Sequence, residues 1–219
     1  MNKENLQKIA KENLSDLLNE SGSILYSSHE TLKPNDIYLL GFNPGGKDGA
    51  PLSKSIDKIL HNTENAYLDE CWENGNGAWE KGEALLQKRV QWTLEVLGFN
   101  PRNVCASNLI FIQSKKANDI NYSLAKQCWP VHEAIIAIVK PKMLLTFGNS
   151  DISPYGYLKS MFGGAEDSID SGHGNWRVKE FSATINNKKV IIVGLPHLSR
   201  YEPKDKDEVF SWIKSKALI

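Results

Sequence analysis

Four short apolar runs, separated by helical patterns, constrain the fold of this chain more than any other feature. They are IYLLG at 37–41, NVCASNLIFI at 103–112, KMLLTFG at 142–148 and KVIIVGLP at 189–196. None of them alternates clearly between apolar and polar residues, which is typical of strands buried on both faces of a sheet. The runs therefore predict the central strands of one sheet.

The segments between the runs carry helical signals. Residues 79–97 have apolar side chains at helical spacing and are followed by Gly98, whereas residues 122–139 end before Pro141. Residues 205–217 predict a closing helix. The first twenty residues predict a docked amphipathic helix, whose apolar side is formed by Leu6, Ile9, Leu14, Leu17 and Leu18.

Strands that alternate with helices indicate a parallel sheet with helices on both faces. We predict a single domain over residues 1–219, a three-layer α/β/α sandwich with a central, mostly parallel four-stranded sheet. A hairpin with an Asn-Asn turn, WRVKEFSATI-NN-KKVIIV, is expected to add an antiparallel piece at one edge. Residues 47–78 form an insert that is partly helical, and residues 149–175 a second irregular region.

The charge and cysteine content exclude several classes of protein. Lys plus Arg and Asp plus Glu both total 26, which argues against a protein that coats nucleic acid but allows a local basic groove. Three widely spaced cysteines favour reduced thiols over a disulfide framework or a zinc site. The same thiols favour a cytoplasmic location, and a monomer is the default expectation. No apolar run reaches membrane-spanning length, and the mixed acidic and basic residues of the N-terminal helix disfavour the alternative of membrane-surface binding, so we expect no membrane partner.

Polar residues follow the predicted strands at their carboxyl ends, where ligands of open parallel sheets bind. Asn43 follows the first strand in GFNPGG, Asn108 lies late in the second, and Asn149 follows the third. His197 follows the fourth strand in PHLSR. Amide and imidazole groups that converge on one rim suit a planar, neutral, hydrogen-bonding ligand such as a nucleobase.

The ordered set GFNPGG, the strand-borne Asn108 and PHLSR resembles the uracil-DNA glycosylase superfamily. The middle segment QCWPVHEAIIAIVKPKMLLTFGNS is similar to the same region of the iron–sulfur branch, and the resemblance covers about residues 36–48 and 79–202. It implies a monofunctional DNA glycosylase that hydrolyses the N-glycosidic bond of uracil or a related deaminated base in DNA, in base-excision repair. It implies DNA as partner and base flipping as the route to the target.

The resemblance also implies roles for the first two motifs. Asn43 matches the residue that positions water, as in the mismatch-specific and single-strand-selective branches. Gly41, Phe42, Pro44 and Gly45 belong to the same substrate-binding motif, in which glycine lets the backbone approach the nucleotide. Asn108 matches the Asn that reads the pyrimidine's Watson–Crick edge.

The last motif supplies the remaining candidates. His197 matches the His that stabilises negative charge on the leaving base, and Ser199 matches a phosphate-contacting Ser. The loop that fills the gap left by the flipped base corresponds to Leu198, Arg200 and Tyr201. Trp79 lies near the position of a base-stacking aromatic residue.

The chain also departs from the family pattern. His-Pro-Ser is His-Leu-Ser here, and the insert at 47–78 has no alignable counterpart. Only Cys128 matches a cysteine of the iron–sulfur branch, while Ile112 occupies the position of another. We therefore expect no cluster, no metal and no organic cofactor.

Ordinary structural roles remain open for each residue. Asn43 can cap a turn, Asn108 can be a satisfied core amide, and His197 can be a loop histidine.

The alternative function is a non-catalytic protein that binds nucleic acid or a nucleotide on the same fold. A third, an unrelated nucleotide-binding α/β protein, is disfavoured because neither a P-loop nor a Gly-x-Gly-x-x-Gly motif occurs. The preferred base and the strand preference stay open.

Overall fold

A computed structural model describes residues 3–46, 49–75 and 77–217 of the chain. Both ends of the predicted 1–219 domain, including the start of the N-terminal segment, and residues 47, 48 and 76 of the insert lie outside the described residues. The strands are β1 Ile37–Gly41, β2 Cys105–Asn108, β3 Met143–Phe147, β4 Glu166–Asp170, β5 Arg177–Ile185 and β6 Lys188–Leu195. The α-helices are α1 Lys3–Asn13, α2 Leu52–Lys58, α3 Leu85–Val96, α4 Leu124–Val139, α5 Pro154–Phe162 and α6 Asp207–Ala217.

The strands form one mostly parallel sheet of a mixed α/β fold, in the order β2-β1-β3-β6-β5-β4. The four apolar runs give the parallel part, β2, β1, β3 and β6, while β5 and β4 continue the sheet in antiparallel pairing. The predicted count of four strands is therefore wrong, because the sheet has six strands within the described residues. The sequence of β4, EDSID, is polar and partly exposed, so it carries no apolar signal and is fixed by pairing with β5.

The hairpin between β5 and β6 is confirmed. Ile185 pairs with Lys188 across the turn, and both turn residues, Asn186 and Asn187, have positive φ angles of 51° and 60°. Asn tolerates this left-handed conformation better than most residues, and a turn with two such residues matches the twist of the flanking strands.

Helices pack on both faces of the sheet, which explains why the parallel strands lack alternation. All five residues of β1 are buried. Tyr38 and Leu40 join a core cluster that contains residues of α1, α2, α4 and α5. Ile37 and Leu39 join a second cluster with residues of α3 and α6. These four side chains of β1 therefore pack against apolar residues on whichever face of the sheet they project from.

Two helices differ from expectation. The helix expected over 79–97 begins only at Leu85, where the Gln87 side chain accepts a hydrogen bond from the Ala84 N–H at 2.9 Å. Helix α5 lies in the region expected to be irregular. Ser153 caps it by accepting from the Gly156 N–H at 3.0 Å, and Pro154 occupies its first turn.

A buried histidine on α4 connects this helix to the sheet. His132 Nδ1 accepts from the Tyr38 hydroxyl at 2.9 Å, and Nε2 donates to the Leu109 carbonyl at 3.1 Å. The carbonyl can only accept, which fixes the tautomer. Burial lowers the pKa of His132 to about 4, so the ring is neutral at physiological pH.

No helix within residues 3–46, 49–75 and 77–217 is long and apolar enough to cross a membrane.

Candidate functional site

A pocket of about 910 Å³ opens at the carboxyl ends of the parallel strands. One side comes from the strand ends themselves: the turn after β1, Asn108 at the end of β2, Phe147 at the end of β3, and the loop after β6. The other side comes largely from the insert. This is the edge at which ligands bind in open parallel sheets, because the strand ends leave a crevice there.

Asn43 holds a fixed orientation in the turn after β1. Its Nδ2 donates to the Pro44 carbonyl at 2.9 Å, to the Ile112 carbonyl at 3.3 Å and to the Ser114 hydroxyl at 2.8 Å. The two carbonyls can only accept, so the amide nitrogen must face them. The Oδ1 atom of this pocket-lining residue has no partner among the described residues and can receive a hydrogen bond from water or ligand.

Asn108 is buried at the end of β2, with 3% of its surface exposed. Its Nδ2 atom has no hydrogen-bond partner among the described residues, although the residue lines the pocket. The Tyr26 hydroxyl lies close enough for the Asn108 side chain to oppose, weakly, the burial that raises the pKa of Tyr26, but Nδ2 makes no hydrogen bond of acceptable geometry with it or with any other described residue. A buried amide donor without a partner costs about 1–3 kcal/mol, so a ligand acceptor there would recover that energy.

Gly41 makes room for the Asn108 side chain. The two residues are paired in register between β1 and β2. A Cβ atom at Gly41 would lie 2.2 Å from Asn108 Oδ1 and 2.7 Å from the Phe147 ring. Gly41 itself is not part of the pocket lining, and its contribution to the site is the space that it leaves for the Asn108 side chain.

His197 and Ser199 form a local pair in the loop after β6. The Ser199 N–H donates to His197 Nδ1 at 3.2 Å, and the Ser199 hydroxyl lies 2.8 Å from the same atom. A backbone N–H can only donate, so Nδ1 is unprotonated and Nε2 carries the hydrogen of the neutral ring. Burial, and then the nearby Arg200 charge, lower the pKa of His197. The ring is thus a neutral Nε2–H donor at the pocket.

The remaining residues of the first motif also lie at the pocket. Phe42, Pro44 and Gly45 line it. The Gly45 carbonyl accepts from the Gln113 amide at 2.7 Å, and the Ser114 N–H donates to the Pro44 carbonyl at 3.0 Å. These bonds fix the turn against the segment after β2.

Five predicted site residues do not line the pocket: Gly41, Trp79, Leu198, Arg200 and Tyr201. Trp79 is 45% exposed but does not line the pocket. Leu198 and Tyr201 are fully buried in the core, and the Tyr201 hydroxyl donates to the Ser171 carbonyl at 2.8 Å. Neither side chain can enter DNA without leaving the core, so this is a correction to the expected wedge. Of the three residues predicted to form the wedge, Leu198, Arg200 and Tyr201, Arg200 alone is exposed.

The insert supplies pocket residues that sequence reasoning missed. Tyr67 and Trp72 line the pocket, and their rings pack edge to face at 5.9 Å between centroids. Glu70 accepts from the Trp72 indole N–H at 2.9 Å, and its charge contributes, after burial, to the raised pKa of Tyr26 and Tyr67. The only sequence signal was the aromatic content of an unusually long loop.

Three lysines give the pocket rim a local positive charge. Lys54 and Lys58 come from α2 in the insert, and Lys115 comes from the segment after β2. None of the three ammonium groups has an ion-pair or hydrogen-bond partner within the described ranges. Glu70 and Glu73 also line the pocket, so the cationic part is confined to one region of the rim.

No group of three or more His, Cys, Asp or Glu side chains in the described part of the chain is placed to hold a metal ion. Neither a scan against protein-family models nor a search of curated proteins found a match to this chain.

Proposed function

We propose that this protein is a monofunctional DNA glycosylase that hydrolyses the N-glycosidic bond of uracil or a related deaminated base in DNA. In this proposal it has the three-layer α/β/α sandwich of the uracil-DNA glycosylase superfamily, acts as a cytoplasmic monomer in base-excision repair and needs no cofactor. The residues that would act are Asn43, Asn108, His197 and Ser199.

The observation that carries the proposal is the unpartnered Nδ2 of Asn108. A structural amide in a core is normally satisfied, whereas this donor is buried beside a pocket and lacks an acceptor. A carbonyl oxygen on a flipped base would satisfy it. Uracil carries a carbonyl oxygen at C4, where cytosine carries an amino group, and hypoxanthine and xanthine carry one at C6, where adenine carries an amino group.

Asn43 suits a reaction in which the glycosidic bond breaks early. Its Oδ1 acceptor can orient a water molecule, but an amide cannot take up the water's proton as a strong base does. A sugar that already has cationic character at C1′ requires little nucleophilic assistance. In this account the water oxygen bonds to C1′ after the C1′–N bond has largely broken.

His197 suits stabilisation of the leaving base. As the C1′–N bond breaks, its electron pair moves onto the base, and a neutral Nε2–H can donate a hydrogen bond to the oxygen where negative charge develops. The Ser199 N–H holds Nδ1 and thereby directs the hydrogen to Nε2. The proton that the water loses ends on the released base, so the products are a neutral base and an abasic sugar.

The lysine rim supports DNA as the partner. Lys54, Lys58 and Lys115 have no partner in the described part of the chain and can neutralise backbone phosphates, although the whole chain has no net charge. The insert that carries two of them, together with Tyr67 and Trp72, would place aromatic rings and cations around a nucleotide in the pocket.

The test is a cleavage assay on labelled single- and double-stranded oligonucleotides that carry one uracil, hypoxanthine or xanthine. Alkali then breaks the strand at any abasic site. We expect wild-type protein to give product with at least one of these bases, and His197→Ala protein to be slower by about 10²–10³-fold, as when one oxyanion donor is removed.

The His197→Ala preparation also controls for a contaminating glycosylase, which would give equal product in both samples. Absence of product with every substrate, despite salt-dependent binding, would replace this proposal with a protein that binds nucleic acid without cleaving it.

A further inference from the structure

A second aromatic surface lies outside the pocket, in the turn between β4 and β5. We call residues 171–176 the aromatic turn. The rings of His173 and Trp176 pack together at 4.6 Å between centroids and 39° between planes, and Trp176 remains 38% exposed. Neither residue lines the pocket or has a role in the proposed cleavage.

The aromatic turn is fixed to the loop that carries His197. The Tyr201 N–H donates to the His197 carbonyl at 3.0 Å, and the Tyr201 hydroxyl donates to the Ser171 carbonyl at 2.8 Å. The His173 ring also meets the Tyr201 ring edge-on, with centroids 6.3 Å apart. Buried Tyr201 therefore connects the loop after β6, which carries His197, to the aromatic turn.

Hydrogen bonds within the turn hold its shape. The Ser171 N–H donates to the Trp176 carbonyl at 2.9 Å, and the Trp176 N–H donates to the His173 carbonyl at 3.1 Å. Lys206 Nζ donates to the Gly172 carbonyl at 2.7 Å. An exposed indole on a turn held in this way loses little conformational freedom when a planar group stacks on it.

The loop after β6 also carries an arginine, Arg200, whose guanidinium group has no partner among the described residues. Arg89, Arg102 and Arg177 each donate hydrogen bonds to described residues, to Glu202, Asp69 and Ser168 respectively. Arg200, which is exposed, forms no side-chain hydrogen bond or ion pair in the described part of the chain. A free guanidinium one residue from Ser199 can contact a phosphate or a base.

We infer that the aromatic turn binds an unpaired nucleobase next to the target nucleotide, with Trp176 as the stacking surface and Arg200 as the adjoining cationic contact. This inference rests on the proposed function, because it takes the pocket to hold a base of the same strand. Stacking on an aromatic face needs an unpaired base, so the structure assigns single-stranded DNA to this surface.

The test measures binding separately from cleavage. A fluorescein-labelled oligonucleotide with a tetrahydrofuran abasic-site analogue is used, as single strand and as duplex, because binding to it depends on no preferred base and it contains no bond to cleave. Fluorescence anisotropy is expected to show that Trp176→Ala weakens single-strand binding by about 5- to 150-fold, the range for loss of one base–aromatic stack. Trp176→Phe, which keeps an aromatic face, should restore most of the affinity.

Met161→Ala is the matched control, because Met161 is exposed to a similar extent, 39%, at the far end of α5. It should bind like wild type. Unchanged single-strand affinity in Trp176→Ala, or an equal loss on the duplex, would overturn the inference. If wild-type protein cleaves a deaminated base and Trp176→Ala binds normally, this inference alone is overturned and the glycosylase proposal stands. Trp176-dependent binding without cleavage of any base would instead overturn the glycosylase proposal.

Discussion

Two buried polar groups in this protein, His132 and Asn108, are placed near the same strands but are satisfied very differently. His132 uses both ring nitrogens, one towards the Tyr38 hydroxyl and one towards the Leu109 carbonyl. Asn108 is nearly as buried, yet its Nδ2 donor has no partner among the described residues. The first arrangement is complete without a ligand, and the second is not.

The comparison suggests how to separate structural from functional polar residues. Burial of a polar group costs free energy unless a hydrogen bond compensates, so a satisfied group such as His132 stabilises the fold. An unsatisfied group beside a pocket lowers stability until a ligand binds. We therefore expect substitutions of His132 to affect mainly folding, and substitutions around Asn108 to affect mainly activity.

The largest expected effect on stability comes from protonation of His132. Its pKa is about 4 in the folded protein and about 6.5 unfolded, so the unfolded chain binds more protons between these values. Stability should fall as the pH is lowered from 6.5 to 4, by about 3 kcal/mol from this residue. Urea unfolding across that range should show a steeper loss for wild type than for His132→Asn. Equal slopes would contradict a neutral buried imidazole.

Gly41→Ala should disturb Asn108 directly. The added Cβ would lie 2.2 Å from Oδ1 and 2.7 Å from the Phe147 ring, so the amide must move. Overpacking of this kind costs about 1–3 kcal/mol of stability. Under conditions where the variant is fully folded, loss of stability alone would not change the cleavage rate. We nevertheless expect the rate, measured with saturating enzyme, to fall because the amide is displaced. A wild-type rate would show that the amide's position is unimportant.

The smallest effect should come from the lysine rim. Lys54→Gln combined with Lys58→Gln should weaken DNA binding a few-fold and reduce the slope of log affinity against log salt by about 0.7–0.9 per lost phosphate contact. Lys188→Gln with Lys189→Gln is the matched control, since these exposed lysines lie at the opposite end of β6. A similar change in affinity and salt slope for both pairs of variants would show that the rim lysines do not contact DNA.

Sequence reasoning finds the elements whose signal is local. The apolar runs predict the parallel strands because burial on both faces requires continuous apolar sequence. The Asn186–Asn187 turn identifies the hairpin, and the carboxyl ends of parallel strands bring Asn43, Asn108 and His197 to one pocket. These strands, this turn and the shared location of the three polar residues follow from hydrophobic periodicity, turn chemistry and the alternation of strands with helices, which are all local features of the sequence.

What the sequence does not reveal depends on contacts between distant segments. Polar β4 is a strand only because β5 pairs with it, and Leu198 and Tyr201 are buried although their loop resembles an exposed one. The insert faces the pocket through Tyr67 and Trp72, a placement that no local pattern encodes.

The most direct test compares Asn108→Leu with His132→Leu in the same two measurements, the rate of uracil or other deaminated-base excision and the free energy of unfolding. We predict that Asn108→Leu loses activity while its stability stays equal or rises, because an unpaired donor is replaced by an apolar group of similar size. His132→Leu should lose about 1–3 kcal/mol or more of stability, because it leaves Tyr38 and Leu109 unpaired, and should keep its activity when folded. An Asn108→Leu protein that is clearly destabilised but excises the base at the wild-type rate would contradict the account.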